Sequence, residues 1–363
     1  MMGPDGARRF RFAPTPSREL HVGSALAALI GWGAARTAGG AFVLRIEDID
    51  RVRCRPEHEA AVLRDLRWLG LDWDEGPDVG GAFGPYRQSE RIDRYDALLA
   101  QLADAGLAYP CTCSRAEIRQ AQSAPHLHQG ALGDAAELPY PGTCRPLRRP
   151  QGSSNEASTT VTSPMTWIAL PGDRGGLRLD LAALLDAPPP VGPLSPIVHW
   201  HDALGGEVVE DVRTTSGDVL LGRPGMPTYQ LAVVADDRDM GITDVVRGRD
   251  LAGSTARQIL LHGALGGACR MQGGPRREPP RFAHHPLLVD AQGRKLSKRD
   301  EAPSLLACSD LMSAARLRAR LGTAVGLFPH GLREATPRDF ADALGERLAH
   351  PRPWSDARWV LDA

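Results

Sequence analysis

A short segment near the N-terminus combines residue types that suit phosphate chemistry. It reads LHVGS at residues 20–24 and follows a turn that contains Pro14 and Pro16. An imidazole such as that of His21 can donate a hydrogen bond to a phosphoryl oxygen, and Gly23 lets a flat base approach the backbone closely. If a helix begins here, its free N–H groups and partial positive charge also attract phosphates. The segment indicates a nucleotide site, and an ordinary turn with an incidental histidine is the alternative.

A second segment could bring positive charge to the same phosphates. Lys295 and Lys298 lie three positions apart in the sequence DAQGRKLSK at residues 290–298, where Ala-Gln-Gly favours a turn. A mobile cation that arrives when a loop closes stabilises a transition state more than the ground state. A solvated basic turn is the alternative.

Three of the six cysteines are clustered. Cys111, Cys113 and Cys144 fall within 34 positions, whereas the other three are scattered. In a chain of this size with no signal peptide, clustered thiols indicate metal ligands before disulfides. Three reduced cysteines without a metal are the alternative.

The elements around LHVGS are those of a parallel sheet. The sequence predicts a strand at residues 8–13 and a helix at residues 24–37, which ends at Gly39 and Gly40. It predicts a buried strand for AFVLRIED at 41–48. Strand, helix and strand in this order form a βαβ unit, which implies parallel strands. Ligands of such sheets bind beyond the carboxyl ends of the strands, where LHVGS lies.

The rest of the chain continues with alternating elements around an irregular middle. Ser114 and Glu117 form a capping box that predicts a helix start after Cys113, and residues 121–160 predict a loop or a poorly ordered insert. Strands at 165–170, 207–213 and 217–222 predict a smaller β-rich insert. The other predicted elements are helices at 56–69, 91–105, 228–235 and 254–264, strands at 241–247 and 286–290, and a few short helices after residue 300.

The composition, net charge and apolar runs of the chain indicate a globular protein and not a membrane-spanning one. Apolar residues make up 42% and charged residues 24%, as in globular chains. The 43 basic and 44 acidic residues give a net charge of −1, so any RNA must be bound by local basic patches. The longest uncharged apolar run, residues 22–35, is shorter than the ~20 residues that cross a bilayer. We expect a cytoplasmic monomer with no membrane partner.

Five segments, in order, carry a family resemblance. RFAPTPS with LHVGS resembles the HIGH-type signature of the glutamyl branch of class I aminoacyl-tRNA synthetases, and KLSKRD at 295–300 resembles the KMSKS-type loop of that family. The segments between them also resemble the family: 43–53, 86–95 and 229–261. The resemblance covers about residues 8–115 and 226–300. It implies an α/β fold with a Rossmann-type class I aminoacyl-tRNA synthetase catalytic domain.

The resemblance also implies a domain order. Residues 8–110 would form the first half of the catalytic domain and 226–300 the second half with the KLSK loop. Residues 111–225 would form an insert with a zinc site and an acceptor-binding subdomain, and 301–363 a short helical segment. With roughly 65 residues after KLSK, no anticodon-binding domain is expected.

The resemblance assigns the family's binding residues to the matching positions of this sequence. Two guanidinium groups, Arg11 and Arg247, would bind the carboxylates of glutamate, and Glu47 would pair with its ammonium group. Surface ion pairing is the alternative for each of them, and Asp236 and Asp237 are expected to be solvated carboxylates. The full expected glutamate set is Arg11, Phe12, Ala13, Pro14, Thr15, Glu47, Tyr229 and Arg247. The expected ATP set is His21, Gly23, Ser24 and Lys298, and the expected catalytic set is His21, Gly23, Lys295 and Lys298. Mg²⁺ is expected on the pyrophosphate.

The thiol cluster resembles one short branch of the family. Glutamyl-Q tRNA(Asp) synthetases hold zinc with C-x-C followed by Y-x₃-C, and the matching residues here are Cys111, Cys113, Tyr140 and Cys144. This sequence places 26 residues between Cys113 and Tyr140, a longer separation than that branch leads us to expect. His126 and His128 therefore stay open as alternatives to Tyr140 for the fourth ligand.

This branch implies a specific reaction. Its members activate glutamate with ATP in the absence of tRNA and esterify it to queuosine at the wobble position of tRNA(Asp), so the anticodon stem-loop is the expected partner. A minimal glutamyl-tRNA synthetase that charges the 3′ end, and a non-catalytic paralogue that binds RNA or glutamate, are the alternatives. One departure is Arg18, which replaces the usual glycine of the signature and would either narrow the ATP entrance or contact a phosphate.

Overall fold

The computed structural model describes most of the chain outside the irregular middle. The described residues are 7–114, 116–118, 139–146, 175–271, 277–290, 296, 302–350, 354 and 357–358. No helix within these ranges is long and apolar enough to span a bilayer.

Helices and strands alternate through most of the described chain. The helices are α1 (Val22–Thr37), α2 (Pro56–Trp68), α3 (Ile92–Asp104), α4 (Leu181–Asp186), α5 (Val212–Thr215), α6 (Tyr229–Asp239), α7 (Thr255–Met271), α8 (Leu305–Leu311), α9 (Ala314–Ala324) and α10 (Pro337–Ala349). The strands are β1 (Arg9–Phe12), β2 (Ala41–Leu44), β3 (Ala108–Cys111), β4 (Gly176–Leu179), β5 (Ile197–Asp202), β6 (Gly206–Asp211), β7 (Leu220–Arg223), β8 (Met226–Pro227), β9 (Asp244–Gly248), β10 (Arg281–His285), β11 (Leu288–Val289) and β12 (Ala357–Arg358).

The main sheet has six strands in the order β2-β1-β9-β10-β5-β6. The first five are parallel to their neighbours, and only β6 runs antiparallel to β5. The predicted parallel sheet is confirmed. A second sheet, antiparallel, has the order β3-β4-β7-β8 and packs against α3 and α6.

Two predicted strands differ from the structure. The strand predicted at 207–213 corresponds to β6, which lies in the main sheet and not in a smaller insert. The strand predicted at 286–290 is reduced to the two residues of β11, and the strand that pairs with β9 is β10, which begins at Arg281. The segment RFAHH of β10 has only two apolar residues and neither an apolar run nor an alternating pattern, which is why the prediction missed it. The predicted strand at 165–170 lies outside the described residues.

Helix α1 lies between the main sheet and the C-terminal helix α10. Gly33 allows the close approach, because a Cβ atom there would lie 3.1 Å from Cδ2 of Leu344 and 3.4 Å from Cα of Ala341. Thr37 at the end of α1 donates a hydrogen bond of 3.0 Å to the carbonyl of Ala341. The helix that carries LHVGS is therefore held on both sides.

Two carboxylates expected to be solvated are buried. Asp236 is 0% exposed and Asp237 is 6% exposed. Asp236 accepts hydrogen bonds from three residues of the first half of the chain, Gln88, Arg91 and Tyr95. The expectation of solvated carboxylates is wrong for both, because α6 lies inside the fold, where carboxylates are retained only with partners.

The predicted capping box after Cys113 is confirmed. The backbone N–H of Ser114 donates to the Glu117 carboxylate at 2.6 Å, and the backbone N–H of Glu117 donates to Ser114 Oγ at 3.2 Å. Residues 116–118 are helical.

Candidate active site

A cavity of about 460 Å³ opens at the carboxyl ends of β1, β9 and β10. Its walls bring together residues that are far apart in the sequence. Every described member of the predicted glutamate and ATP sets lines it: Arg11, Phe12, Ala13, Pro14, Thr15, His21, Gly23, Ser24, Glu47, Tyr229 and Arg247. The roles of these residues stay predictions, and the structure supplies their common location.

His21 caps the N-terminus of α1 with its side chain. The backbone N–H of Gly23 donates to His21 Nδ1 at 3.1 Å, so a neutral ring carries its proton on Nε2. A Cβ atom on residue 23 would lie 2.9 Å from Cε1 of His21. Residue 23 must therefore be glycine to make room for the imidazole of His21. The imidazole then presents its Nε2–H as a donor at the N-terminus of α1.

Leu296, the one described residue of the KLSK segment, reaches this cavity. The backbone N–H of Leu296 donates to the carbonyl of Leu288 at 2.9 Å, and Leu296 is part of the cavity wall. Lys295 and Lys298 lie outside the described residues. Arg18 is exposed and is not part of the wall, so the structure favours neither of its two suggested roles.

Arg11 is held from behind by a buried carboxylate. Its Nε lies 3.2 Å from Asp237 Oδ1, and Arg45 NH1 lies 2.7 Å from the same oxygen. Arg45 is 0% exposed and also contacts Glu47 Oε1 at 3.2 Å. Burial raises the pKa of Asp237, but the two arginines outweigh burial and hold it below its usual value. The network fixes Arg11 and Glu47 on one wall of the cavity.

The positive charges of the protein do not fully balance the carboxylate of Glu47. It is 8% exposed, and burial raises the pKa of its carboxyl although Arg45 and Arg11 lie nearby. A cation brought by a ligand would favour its ionised form. The geometry thus suits an ammonium group.

Arg247 is a buried guanidinium with neutral partners. It is 4% exposed and donates to His284 Nε2 at 3.0 Å, Gln258 Oε1 at 2.7 Å and Thr255 Oγ1 at 2.8 Å. Within the described ranges no carboxylate makes an ion pair with it. Burial lowers the pKa of Arg247, so its charge is incompletely compensated by the protein. Such a group binds an anion strongly.

Sequence reasoning missed several residues of this region. Arg45, Asp250 and His285 are three of them, of which the last two line the cavity. Arg45 had a signal, because it interrupts an apolar strand. His285 ends β10, and the misplaced strand boundary concealed it.

The predicted thiol cluster is formed. The sulfur atoms of Cys111, Cys113 and Cys144 all lie within 4.8 Å of one another. The Tyr140 hydroxyl lies 3.4 Å from Cys111 Sγ and 3.5 Å from Cys113 Sγ, and it accepts a hydrogen bond of 2.9 Å from the backbone N–H of Cys144. His126 and His128 lie outside the described residues. Three thiols and a phenol therefore surround one point.

The donor set fits a zinc ion. Tetrahedral zinc with bonds of about 2.3 Å to sulfur separates its sulfur ligands by roughly 3.8 Å, close to the 3.4 Å between Cys113 Sγ and Cys144 Sγ. Arg178 stacks over the Tyr140 ring at 3.7 Å and donates from Nε to Cys111 Sγ at 3.3 Å. A buried cation at this position would balance the negative charge of thiolate ligands.

Comparison with known proteins identifies the family. The family model for tRNA synthetases class I (E and Q), catalytic domain, matches residues 8–159 and 193–333. The chain belongs to this family. The resemblance inferred from LHVGS and KLSK and the predicted fold class are therefore confirmed.

Individual relatives agree with the family. The chain is 39% identical over 356 residues to the glutamyl-Q tRNA(Asp) synthetase of Nitratidesulfovibrio vulgaris, which covers 98% of this chain and 97% of that protein. It is 46% identical over 296 residues to the glutamyl-Q tRNA(Asp) synthetase of Symbiobacterium thermophilum, over 81% of this chain and 79% of the relative. A solved glutamate tRNA ligase from Elizabethkingia meningosepticum, in complex with its amino acid, has a TM-score of 0.70 and 26% identity, over 97% of this chain and 67% of that one.

These relationships make the protein an aminoacyl-tRNA synthetase and a ligase. It uses ATP to activate glutamate and transfers the glutamate to tRNA.

Proposed function

We propose that the acceptor is the queuosine base at the wobble position of tRNA(Asp). The observation that supports glutamate as the amino acid is the cavity itself, which is lined by the guanidinium groups of Arg11 and Arg247 and by the Glu47 carboxylate. Glutamate has two carboxylates and one ammonium group, which is the complementary set of charges.

ATP would occupy the side of the cavity next to α1. His21 Nε2 and the N-terminus of the helix would contact its phosphates, with Mg²⁺ on the pyrophosphate and the KLSK lysines supplying further charge. The glutamate carboxylate attacks the α-phosphorus, the bond to pyrophosphate breaks, and glutamyl-adenylate remains. This step needs positioning and charge stabilisation, and no protein nucleophile.

The acceptor would enter through a second cavity. It has a volume of about 890 Å³ and shares Thr15, Glu47 and Tyr229 with the first. Its walls combine apolar groups, including Val52 and Met226, which are 86% and 57% exposed, with two arginines and four carboxylates: Arg51, Arg53, Glu47, Asp50, Glu90 and Asp93. Arg53 is paired with Asp50 at 2.6 Å, so Arg51 and the apolar groups would contact the phosphates and bases of an unpaired RNA loop. A hydroxyl of the acceptor would attack the carbonyl carbon of glutamyl-adenylate and displace AMP.

Queuosine as acceptor is supported by the relatives that match over nearly equal lengths, which are named glutamyl-Q tRNA(Asp) synthetases. The zinc ion would hold Cys111, Cys113, Tyr140 and Cys144 together. We infer a structural role for it, because three thiols and a phenol complete a four-coordinate site.

The experiment uses labelled glutamate, ATP and tRNA(Asp) whose 3′ terminus has been removed, with and without queuosine. Label retained only on queuosine-bearing RNA supports the proposal. Label that requires an intact 3′ end, whatever the wobble base, would identify a minimal glutamyl-tRNA synthetase. A folded protein that shows no glutamate-dependent exchange between ATP and pyrophosphate would be a non-catalytic paralogue.

A further inference from the structure

A second layer of polar residues lies behind Arg247 and away from the cavity. His284, on β10, accepts a hydrogen bond of 3.0 Å from Arg247 Nε and is its register partner on the neighbouring parallel strand. His284 Nδ1 lies 2.7 Å from Oδ2 of Asp202, the last residue of β5. His284 and Asp202 are 6% and 5% exposed, and neither lines the cavity.

The hydrogen bonds define the tautomer of His284. The Nε of an arginine only donates, so His284 Nε2 must be the acceptor. The neutral ring then carries its proton on Nδ1 and donates it to Asp202. Burial lowers the pKa of His284, which keeps the ring neutral, although Asp202 acts in the opposite direction.

Asp202 is itself fixed by the backbone. Its Oδ1 accepts hydrogen bonds from the N–H groups of Leu204, Gly205 and His284, at 2.9, 3.1 and 3.1 Å. Oδ2 is thereby aimed at the imidazole. Burial raises the pKa of Asp202, but the bonds from His284 and the backbone outweigh it and keep the pKa below its usual value.

These contacts determine how the Arg247 guanidinium is rotated. His284, Gln258 and Thr255 accept three of its five N–H groups, and the remaining two are shared between Tyr229, with which Arg247 also hydrogen-bonds, and a ligand. The ring of Phe282 lies 5.2 Å from the guanidinium carbon and is parallel to the imidazole, with an angle of 1° between their planes. A guanidinium held in this way presents its remaining donors in a fixed direction, as carboxylate binding requires.

We propose that Asp202 and His284 are positioning residues that orient Arg247 toward a carboxylate of glutamate. The inference rests on the proposed role of Arg247 as the anion-binding group of the cavity. Neither positioning residue touches the substrate. Their effect is on the binding of glutamate and not on ATP.

Asp202→Asn tests the tautomer directly. The amide oxygen of asparagine can replace Oδ1 and keep the three backbone contacts, while its NH₂ group replaces Oδ2 and donates to Nδ1. The ring proton would then move to Nε2, where it opposes the N–H of Arg247. We expect the KM for glutamate in ATP–pyrophosphate exchange to rise about 10-fold to 100-fold, by analogy with the effect of changing the groups that orient metal ligands. The KM for ATP and the kcat at saturating glutamate should stay near the wild-type values.

Two further variants provide rescue and control. His284→Gln retains an acceptor for Arg247, whereas His284→Leu has none, so the glutamine variant should have the lower glutamate KM. Asp180→Asn is a matched control, because Asp180 is also 5% exposed and accepts a backbone hydrogen bond as the N-cap of α4. Asparagine is an equally good N-cap, so this variant should bind glutamate like the wild type.

The outcomes separate this inference from the proposed function. If the wild-type protein shows exchange and Asp202→Asn leaves the glutamate KM unchanged, the positioning role is overturned while the function stands. Equal changes in the KM values for glutamate and ATP, or equal glutamate KM values for His284→Gln and His284→Leu, would also overturn it. Absence of exchange in the folded wild type would instead refute the proposed function.

Discussion

Gly23→Ala separates the chemistry at the start of α1 from the stability of the helix. A Cβ atom on residue 23 would lie 2.9 Å from Cε1 and 3.0 Å from Nδ1 of His21, closer than real Cβ contacts. The imidazole must rotate, and its bond to the Gly23 N–H is lost. Its Nε2–H would then leave the position expected for an ATP phosphate. Losing one preorganised donor to a reacting oxygen costs roughly 10²-fold to 10³-fold in kcat.

Stability should change little in the same variant. Alanine is favoured over glycine in a helix by about 1 kcal/mol, and the loss of a capping bond costs about as much. Glutamate-dependent ATP–pyrophosphate exchange and denaturant unfolding measure the two effects separately. Gly31→Ala is a matched control in the same helix, because its Cβ atom would make an ordinary contact of 3.5 Å with Phe42. Exchange at the wild-type rate in Gly23→Ala would refute the role of His21, and equal losses in both variants would point to helix packing.

Two other predictions concern Glu47 and the thiol cluster. Because burial raises the pKa of Glu47, lowering the pH from neutral should protonate its carboxylate at a higher pH than is usual for glutamate and raise the KM for the glutamate substrate. Glu47→Gln should have a high glutamate KM that does not rise further as the pH falls. An equal pH dependence of this KM in the variant and the wild type would contradict the assignment. In competition with a chelator, Cys144→Ser should lose bound zinc and Arg178→Gln should bind zinc about 10-fold more weakly. Cys269→Ser, outside the cluster, should bind zinc like the wild type. Equal zinc affinity in all three variants would contradict the proposed ligand set.

Local geometry was predictable because short segments determine it. The capping box of Ser114 and Glu117 depends on residues three apart. The thiol cluster was predictable for a different reason. Its residue types have few other uses at these spacings, so Cys111, Cys113 and Cys144 could be grouped across an irregular segment.

The buried charge network could not be predicted in this way. Aspartate and arginine are mostly surface residues, so the sequence of α6 favours a solvated Asp237. Its partners, Arg11 and Arg45, are more than 190 positions away, as the separations of 226 and 192 residues show. Only the crossover that places β1 and β2 beside α6 brings these groups together, and no local pattern encodes that pairing.

The residues behind Arg247 illustrate how one error in an element boundary propagates. In a parallel sheet, the last residues of neighbouring strands meet at one edge whatever their separation in sequence. This rule would have grouped Arg247 with the ends of β5 and β10, and so with Asp202 and His284. The prediction instead began the strand at residue 286 rather than Arg281, which placed His284 before the strand. It also contained no strand at the position of β5, and it assigned the β6 segment to an insert. The chemistry of Arg247 was therefore predictable from the sequence, whereas the groups that orient it lie on strands that were misplaced or missed, because mostly polar segments such as RFAHH give no strand signal.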